Sequence, residues 1–178
     1  MASLITAPAQ ELIQNARQVT STKKIKRGDT LLLDFFAGAG GATQGFVLAG
    51  FKPVYIVEAA EFKRKQYCDN FSKHVKVHER GSANDRYYVY ERTAEMDATI
   101  MINYLAELVG RTSVRYHVHA SPSCREFCAV GRSENTKTSK LGDSLGTFRW
   151  TCKVIKLLKD KYKDKMTWSI EDAKEVAG

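Results

Sequence analysis

The run Thr30-Leu31-Leu32-Leu33-Asp34-Phe35-Phe36, closed by Gly38, Gly40 and Gly41, limits the fold more than any other stretch of this chain. A strand that is apolar on both faces has to be covered on both, and the usual solution is a parallel sheet between two layers of helix. The glycines form a tight turn, a helix follows from about Ala42 to Ala49, and Gly50 ends it. The same alternation continues down the chain. Val54 to Val57 reads as a second strand closed by Glu58, and the helix from about Glu61 to Phe71 carries Lys63, Arg64 and Lys65 on its exposed side. Val75 and Val77 suggest a short strand, and a helix over about Ala94 to Val109 would turn Met96, Ile100, Tyr104 and Leu108 inward. Val114 to Ala120 is a strand, Asp143 to Asp160 a long helix and Met166 to Ile170 a further strand. This order predicts an α/β fold, a Rossmann-like and mostly parallel sheet with helices on both faces and right-handed crossovers.

The 178 residues fit one domain, with 30–178 as its body and 1–29 as an N-terminal helix and basic linker. That helix begins near Thr6 and Pro8 and carries Leu12, Ile13, Ala16 and Val19 on one side. A hydrophobic content of 43% and a charged content of 27% exclude a disordered chain. No apolar run approaches the roughly 18 residues of a membrane span, and no secretory leader is evident, so an intracellular, soluble protein is expected. Four cysteines without a framework of close spacings read as free thiols, and Cys68 and Cys152 as inert core residues. A net charge of +8 suits a polyanionic partner without demanding one.

Two places carry chemistry. The glycine turn lies between the first strand and its helix, where an open α/β sheet takes a nucleotide-like ligand. Its spacing is neither that of the dinucleotide fingerprint nor that of a triphosphate loop. Glu58, at the end of the second strand, is placed to accept hydrogen bonds from ribose hydroxyls. The second place is His117-Val118-His119-Ala120-Ser121-Pro122-Ser123-Cys124, where a strand breaks at a proline and delivers a cysteine to a turn, as a nucleophile requires. His117 and His119 share one face of that strand and could join Cys124 and Cys128 around zinc. The converging geometry this needs is awkward, and histidines packed and hydrogen-bonded in the sheet are the expectation.

With these residues in view, the chain resembles the DNA (cytosine-5)-methyltransferases. Asp34-Phe35-Phe36-Ala37-Gly38-Ala39-Gly40-Gly41 looks like the motif with which that family binds S-adenosylmethionine. Gly45-Phe46, Ala49-Gly50-Phe51, Glu58 and Tyr67-x-x-Asn70-Phe71 follow at matching intervals. Ser121-Pro122-Ser123-Cys124-x-x-Phe127-Cys128-x-x-Gly131-Arg132 resembles the Pro-Cys motif, Asp143-Ser144-x-Gly146-Thr147 the next, and Glu171-Asp172-Ala173 stands where the family has Glu-Asn-Val. The likeness runs from about Thr30 to the C-terminus.

The resemblance implies methyl transfer from S-adenosylmethionine to C5 of cytosine, with Cys124 as the thiolate that adds at C6 and Glu171 as the acid at N3. It implies Asp34, Phe36, Ala37, Gly38, Gly40, Gly41, Glu58, Pro122 and Thr147 as cofactor-binding residues, Phe36 against the adenine. No metal is implied. The partner would be nucleic acid, double-stranded DNA with the cytosine flipped out of the stack, and the polar loop from Arg132 to Leu141 would close over that base. A glutamate against a neutral base in a dry pocket would need a raised pKa.

Several positions depart from the pattern: Ser123 for a proline, Arg125 for a glutamine, Ala59 for an aromatic residue over the adenine, and Asp172 for an asparagine. Asp85 or Ser82 would have to serve as the adenine-contacting residue. The family's target recognition domain and final motifs are not matched, which implies a second subunit carrying them or a truncated fold. An RNA cytosine methyltransferase and a non-catalytic relative that regulates a partner are the rival expectations.

Overall fold

The computed structural model describes residues 25–71, 76–78, 88–122 and 141–171, and for 76–78, 88–92 and 141–145 the backbone alone. Strand β1 is Thr30–Phe35, helix α1 Gly41–Leu48, β2 Lys52–Val57, α2 Glu61–Asn70, β3 Lys76–His78, α3 Tyr88–Val109, β4 Arg115–Ala120, α4 Leu141–Tyr162 and β5 Met166–Ile170. The helix expected between Thr6 and Val19 lies outside the described residues.

The sheet has five strands in the order β3-β2-β1-β4-β5, and each pairing is parallel. The chain therefore builds outward from β1 through β2 to β3, then returns to the other side of β1 for β4 and β5. The order reverses between β1 and β4, and in an open α/β sheet the crevice at such a reversal is where ligands bind. Pairing between β1 and β2 slips between Leu32 and Leu33, so that Pro53 faces Leu32 and Tyr55 faces Leu33. Proline has no N–H for a ladder, and β3 joins β2 only from Tyr55 onward.

Both faces of the sheet are covered, as the apolar β1 run predicts. On one, Leu31, Leu33 and Phe35 join Tyr116, Val118 and Ala120 in a core closed by Ala94, Ala98, Met101 and Leu105 of α3 and Trp150, Val154 and Leu158 of α4. On the other, Ile56 packs with Ala37, Val47 of α1, and Tyr67 and Phe71 at the end of α2. Trp150 fills the first core: its ring meets Phe35 at 5.3 Å, and its indole N–H donates to the buried Asp97 carboxylate at 2.9 Å.

Helix α3 turns a different side inward from the one its largest apolar residues suggest. Met96 is 50% exposed, Ile100 39% and Leu108 36%, whereas Ala94, Asp97, Ala98, Met101 and Leu105 are buried. Alanines at 94 and 98 let α3 approach α4 closely, and the Asp97–Trp150 hydrogen bond fixes its rotation. The two helical cysteines also differ from expectation, since Cys68 is half-buried and Cys152 exposed. Helix α4 ends in a single 3-10 turn, Lys163–Lys165, where the Lys159 ammonium donates to the carbonyls of Lys163 and Met166. Among the described residues, no helix is long and apolar enough to cross a membrane.

Candidate functional site

The C-terminal tips of β1, β2, β4 and β5 are tied to one another by backbone bonds. Ser121 N–H donates to the Phe35 carbonyl at 3.1 Å, Ala37 N–H to that of Val57 at 3.1 Å, and Glu171 N–H to that of Ala120 at 2.9 Å. These bonds carry the sheet one or two residues beyond its strands, so the glycine turn, Glu58, Ser121-Pro122 and Glu171 all emerge along one edge.

The turn after β1 needs unusual backbone. Phe36 has φ 60°, Gly38 58° and Gly40 95°. A residue with a Cβ rarely adopts such angles, and Phe36 is held there by its edge-on contact with Trp150 at 5.8 Å. Nothing lies within 4 Å of a Cβ built on Gly38 or Gly41, so their backbone is open to a ligand. Gly40 is the opposite case. A Cβ there would sit 2.1 Å from the Phe71 ring.

Residues from α2 clasp this turn, which gives Tyr67-x-x-Asn70-Phe71 a physical reason. Asn70 donates its amide to the Ala39 carbonyl at 3.2 Å, Phe71 packs under Gly40, and Tyr67 stacks on Phe71 at 4.7 Å. Thr43, on α1, donates its single hydroxyl proton to Asp34, and its oxygen lies 3.1 Å from the hydroxyl of Tyr67. Burial pushes the Tyr67 pKa up, so that hydroxyl keeps its proton and donates to Thr43.

Glu58 locks the turn to β2. One carboxylate oxygen accepts from Gly38 N–H and the other from Ala60 N–H, both at 2.8 Å. Arg64, expected on an exposed basic face, instead folds back and donates to the carbonyls of Glu58 and Ala59. Each Glu58 oxygen retains a lone pair for a further donor.

Asp34 stands beneath the turn and not on its open side, since only 1% of it is exposed. Burial lifts its carboxyl to about 7, with the Thr43 bond opposing and the Glu58 charge adding to the rise. An acid whose pKa is higher in the fold than in the unfolded chain favours folding at low pH. That contribution is complete below the ordinary 3.8 and is lost as pH climbs to about 7. Asp34→Asn keeps an acceptor for Thr43 and carries no charge. It is expected to match the wild type near pH 4 and exceed it at pH 8 by on the order of 2–4 kcal/mol. Urea unfolding at the two pH values checks this, and an equal difference at both would contradict it.

At the other end of the edge, Glu171 closes β5 with its side chain 74% exposed, and its carboxylate lies 4.0 Å from Nε2 of His119. The two histidines are packed and hydrogen-bonded in the sheet, as expected in preference to a zinc site. His117 Nδ1 lies 2.8 Å from Thr167 Oγ1 and its Nε2 3.1 Å from Ser169 Oγ, while His119 Nδ1 lies 2.9 Å from the same Ser169 oxygen. Burial depresses both imidazole pKa values; the partner histidine lowers His117 further, and Glu171 partly offsets the fall at His119. Among the described residues, no cluster of histidine, cysteine and carboxylate could hold a metal.

Of the remaining expected site residues, Ala37 and Pro122 are buried, Gly41 opens α1, and Thr147 is buried on α4, where its carbonyl accepts from the Thr151 hydroxyl at 2.8 Å. Cys124, with the loop that follows it, lies outside the described residues, as do Ser82, Asp85 and Asp172. No protein-family model matches the chain, and no curated protein does.

Proposed function

We propose that this chain is the catalytic, cofactor-binding part of a DNA (cytosine-5)-methyltransferase with a Rossmann-like methyltransferase fold. The observation that carries the reading is the convergence of the glycine turn, Glu58 and Glu171 on one strand edge at the reversal of strand order. Bound there, S-adenosylmethionine would supply an electrophilic methyl group.

The residues fit such a ligand. Gly38 and Gly41 leave backbone open to it, Glu58 offers free lone pairs to ribose hydroxyls, and the strained turn is braced from behind by Asp34, Thr43 and Tyr67. Cys124 would add its thiolate to C6 of a flipped cytosine while Glu171 gives a proton to N3, which makes C5 a nucleophile. C5 would take the methyl group and lose its proton to a base as the Cys124 thiolate leaves, and N3 would return its proton to Glu171, restoring the neutral ring. Because the Glu171 carboxyl is exposed among the described residues, the base itself would complete the dry surroundings that an acid at this position needs. A second subunit reading the DNA sequence belongs to the same proposal.

Calorimetry with S-adenosylmethionine tests the cofactor half. Glu58→Ala is expected to weaken binding by about tenfold to a hundredfold, the effect of losing hydrogen bonds to a charged acceptor. Wild-type protein that binds no S-adenosylmethionine, or a variant that binds it equally well, would contradict the assignment.

A further inference from the structure

Four side chains that the proposed chemistry leaves unused form a continuous line along the face of β4 and β5. Thr167, His117, Ser169 and His119 are joined at 2.8, 3.1 and 2.9 Å, and the line ends at Nε2 of His119, a buried atom without a hydrogen-bond partner, 4.0 Å from the Glu171 carboxylate. Because the exposed Glu171 side chain is free to rotate, that last gap can close. Phe46 of α1 packs on both rings, at 4.9 Å from His117 and 5.1 Å from His119, and Phe51 meets His117 at 5.5 Å. These rings cover one side of the line, whose exposure rises from the buried His119 through the half-buried Ser169 and His117. Thr167 is exposed and lines a cleft of about 400 Å³ at the opposite edge of the sheet, with Arg115, Asp164 and Lys165.

The proton count along this line admits two complete arrangements. In the first, Thr167 O–H donates to His117 Nδ1, His117 Nε2–H to Ser169, Ser169 O–H to His119 Nδ1, and His119 Nε2–H to an ionised Glu171. In the second, every bond is reversed: a protonated Glu171 donates to His119 Nε2, His119 Nδ1–H to Ser169, Ser169 O–H to His117 Nε2, and His117 Nδ1–H to Thr167. Neutral imidazole has one donor and one acceptor nitrogen, so each arrangement leaves every site satisfied.

We infer that Thr167, His117, Ser169 and His119 are a proton wire that loads Glu171 from the opposite edge of the sheet. Moving from the first arrangement to the second, His119 passes its Nε2 proton to the carboxylate and takes one from Ser169 on Nδ1. Ser169 is refilled by His117 Nε2–H, His117 by Thr167 O–H, and Thr167 by water. One proton enters and one arrives. The purpose rests on the proposed methyl transfer, in which a flipped base cuts an ionised Glu171 off from solvent before it can protonate N3, and the N3 proton returns to Glu171 when the ring is restored. Among the described residues, the other titratable groups on this face are Asp34, register partner of His119 on β1, with Glu58 and, on α2, Tyr67 beside it; α1 carries none, and Arg115 stands at the cleft end.

Nitrogen NMR of the histidine-labelled full chain at pH 8 tests the wire without requiring activity. Wild type should hold both rings as the Nε2–H tautomer. Glu171→Lys puts an obligate donor, long enough to span 4.0 Å, opposite His119, and should convert both rings to Nδ1–H. Adding Ser169→Ala should return His117, but not His119, to its wild-type form. Glu171→Arg serves the same purpose if the lysine variant does not fold. A His117 tautomer that ignores residue 171, or that responds equally without the Ser169 hydroxyl, overturns the inference. In single-turnover reaction with cytosine DNA, Ser169→Ala should slow adduct formation about tenfold with DNA affinity unchanged, and an unslowed variant would also overturn it. Absence of any adduct from the wild type would remove methyl transfer and leave the tautomer result to stand or fall separately.

Discussion

Replacing Gly40 with alanine is expected to lower the stability of the fold by about 3 kcal/mol or more, while the same change at Gly38 lowers it by only about 1–2 kcal/mol. Both glycines have positive φ, 95° and 58°, so both substitutions carry the penalty of a left-handed L-residue. The surroundings separate them. At Gly38 the new methyl group enters open space, whereas at Gly40 it would stand 2.1 Å from one Phe71 ring carbon and 3.0 Å from two others. Phe71 is itself buried and stacked on Tyr67, so moving it disturbs the hydroxyl that supports Thr43 and, through it, Asp34. Denaturant midpoints of the two variants measure the difference. Truncating Phe71 should remove most of it, because the two sites then no longer interfere. Equal midpoints for the two alanine variants would show that the turn is not clamped from α2.

Much of this architecture could be read from the residues alone. The β1 run, apolar on both sides, demanded two covering layers, and its strict alternation with helical segments demanded parallel pairing. Met166–Ile170 forms a strand at the bounds its β-branched and aromatic residues indicate. Helix α3 was less legible. Four-residue spacing selected Met96, Ile100, Tyr104 and Leu108; Tyr104 packs against the core, but the buried positions are Ala94, Asp97, Ala98, Met101 and Leu105. Its rotation is set by a polar pair, Asp97 and Trp150, that no single-helix periodicity can reveal.

The candidate site divides in the same way. The positions of the glycine turn and Glu58 follow from their places at strand ends, since a turn after β1 and a carboxylate after β2 must be neighbours in this topology. The uses of Asp34 and Arg64 do not follow. Asp34 sits in a motif read as ligand-binding, yet its carboxylate is directed at Thr43 beneath the turn, and Arg64 belongs to a basic trio yet bonds the end of β2. The partners of His117 and His119 were hidden for a further reason. Thr167 and Ser169 come opposite them only through the β4–β5 register, a long-range fact that spacing within one strand does not contain.

On the methyl transfer proposed above, loss of the Cys124 thiol should have the largest consequence of all. Without it, C6 of the base would have no nucleophile to receive, C5 would remain unreactive, and transfer should fall by roughly a thousandfold or more, with cofactor binding unchanged. Fluorine at C5 turns this into a direct measurement, because the C5 proton whose loss would release the enzyme is no longer there and the sulfur–C6 bond persists. The full chain would be incubated with S-adenosylmethionine and an oligonucleotide library carrying 5-fluorocytosine in varied contexts, and its mass read under denaturing conditions. The account predicts a covalent adduct on the wild type, centred on Cys124, and none on Cys124→Ala. A wild type that binds the cofactor yet never gains the mass of the oligonucleotide, or an alanine variant that gains it equally, would contradict it.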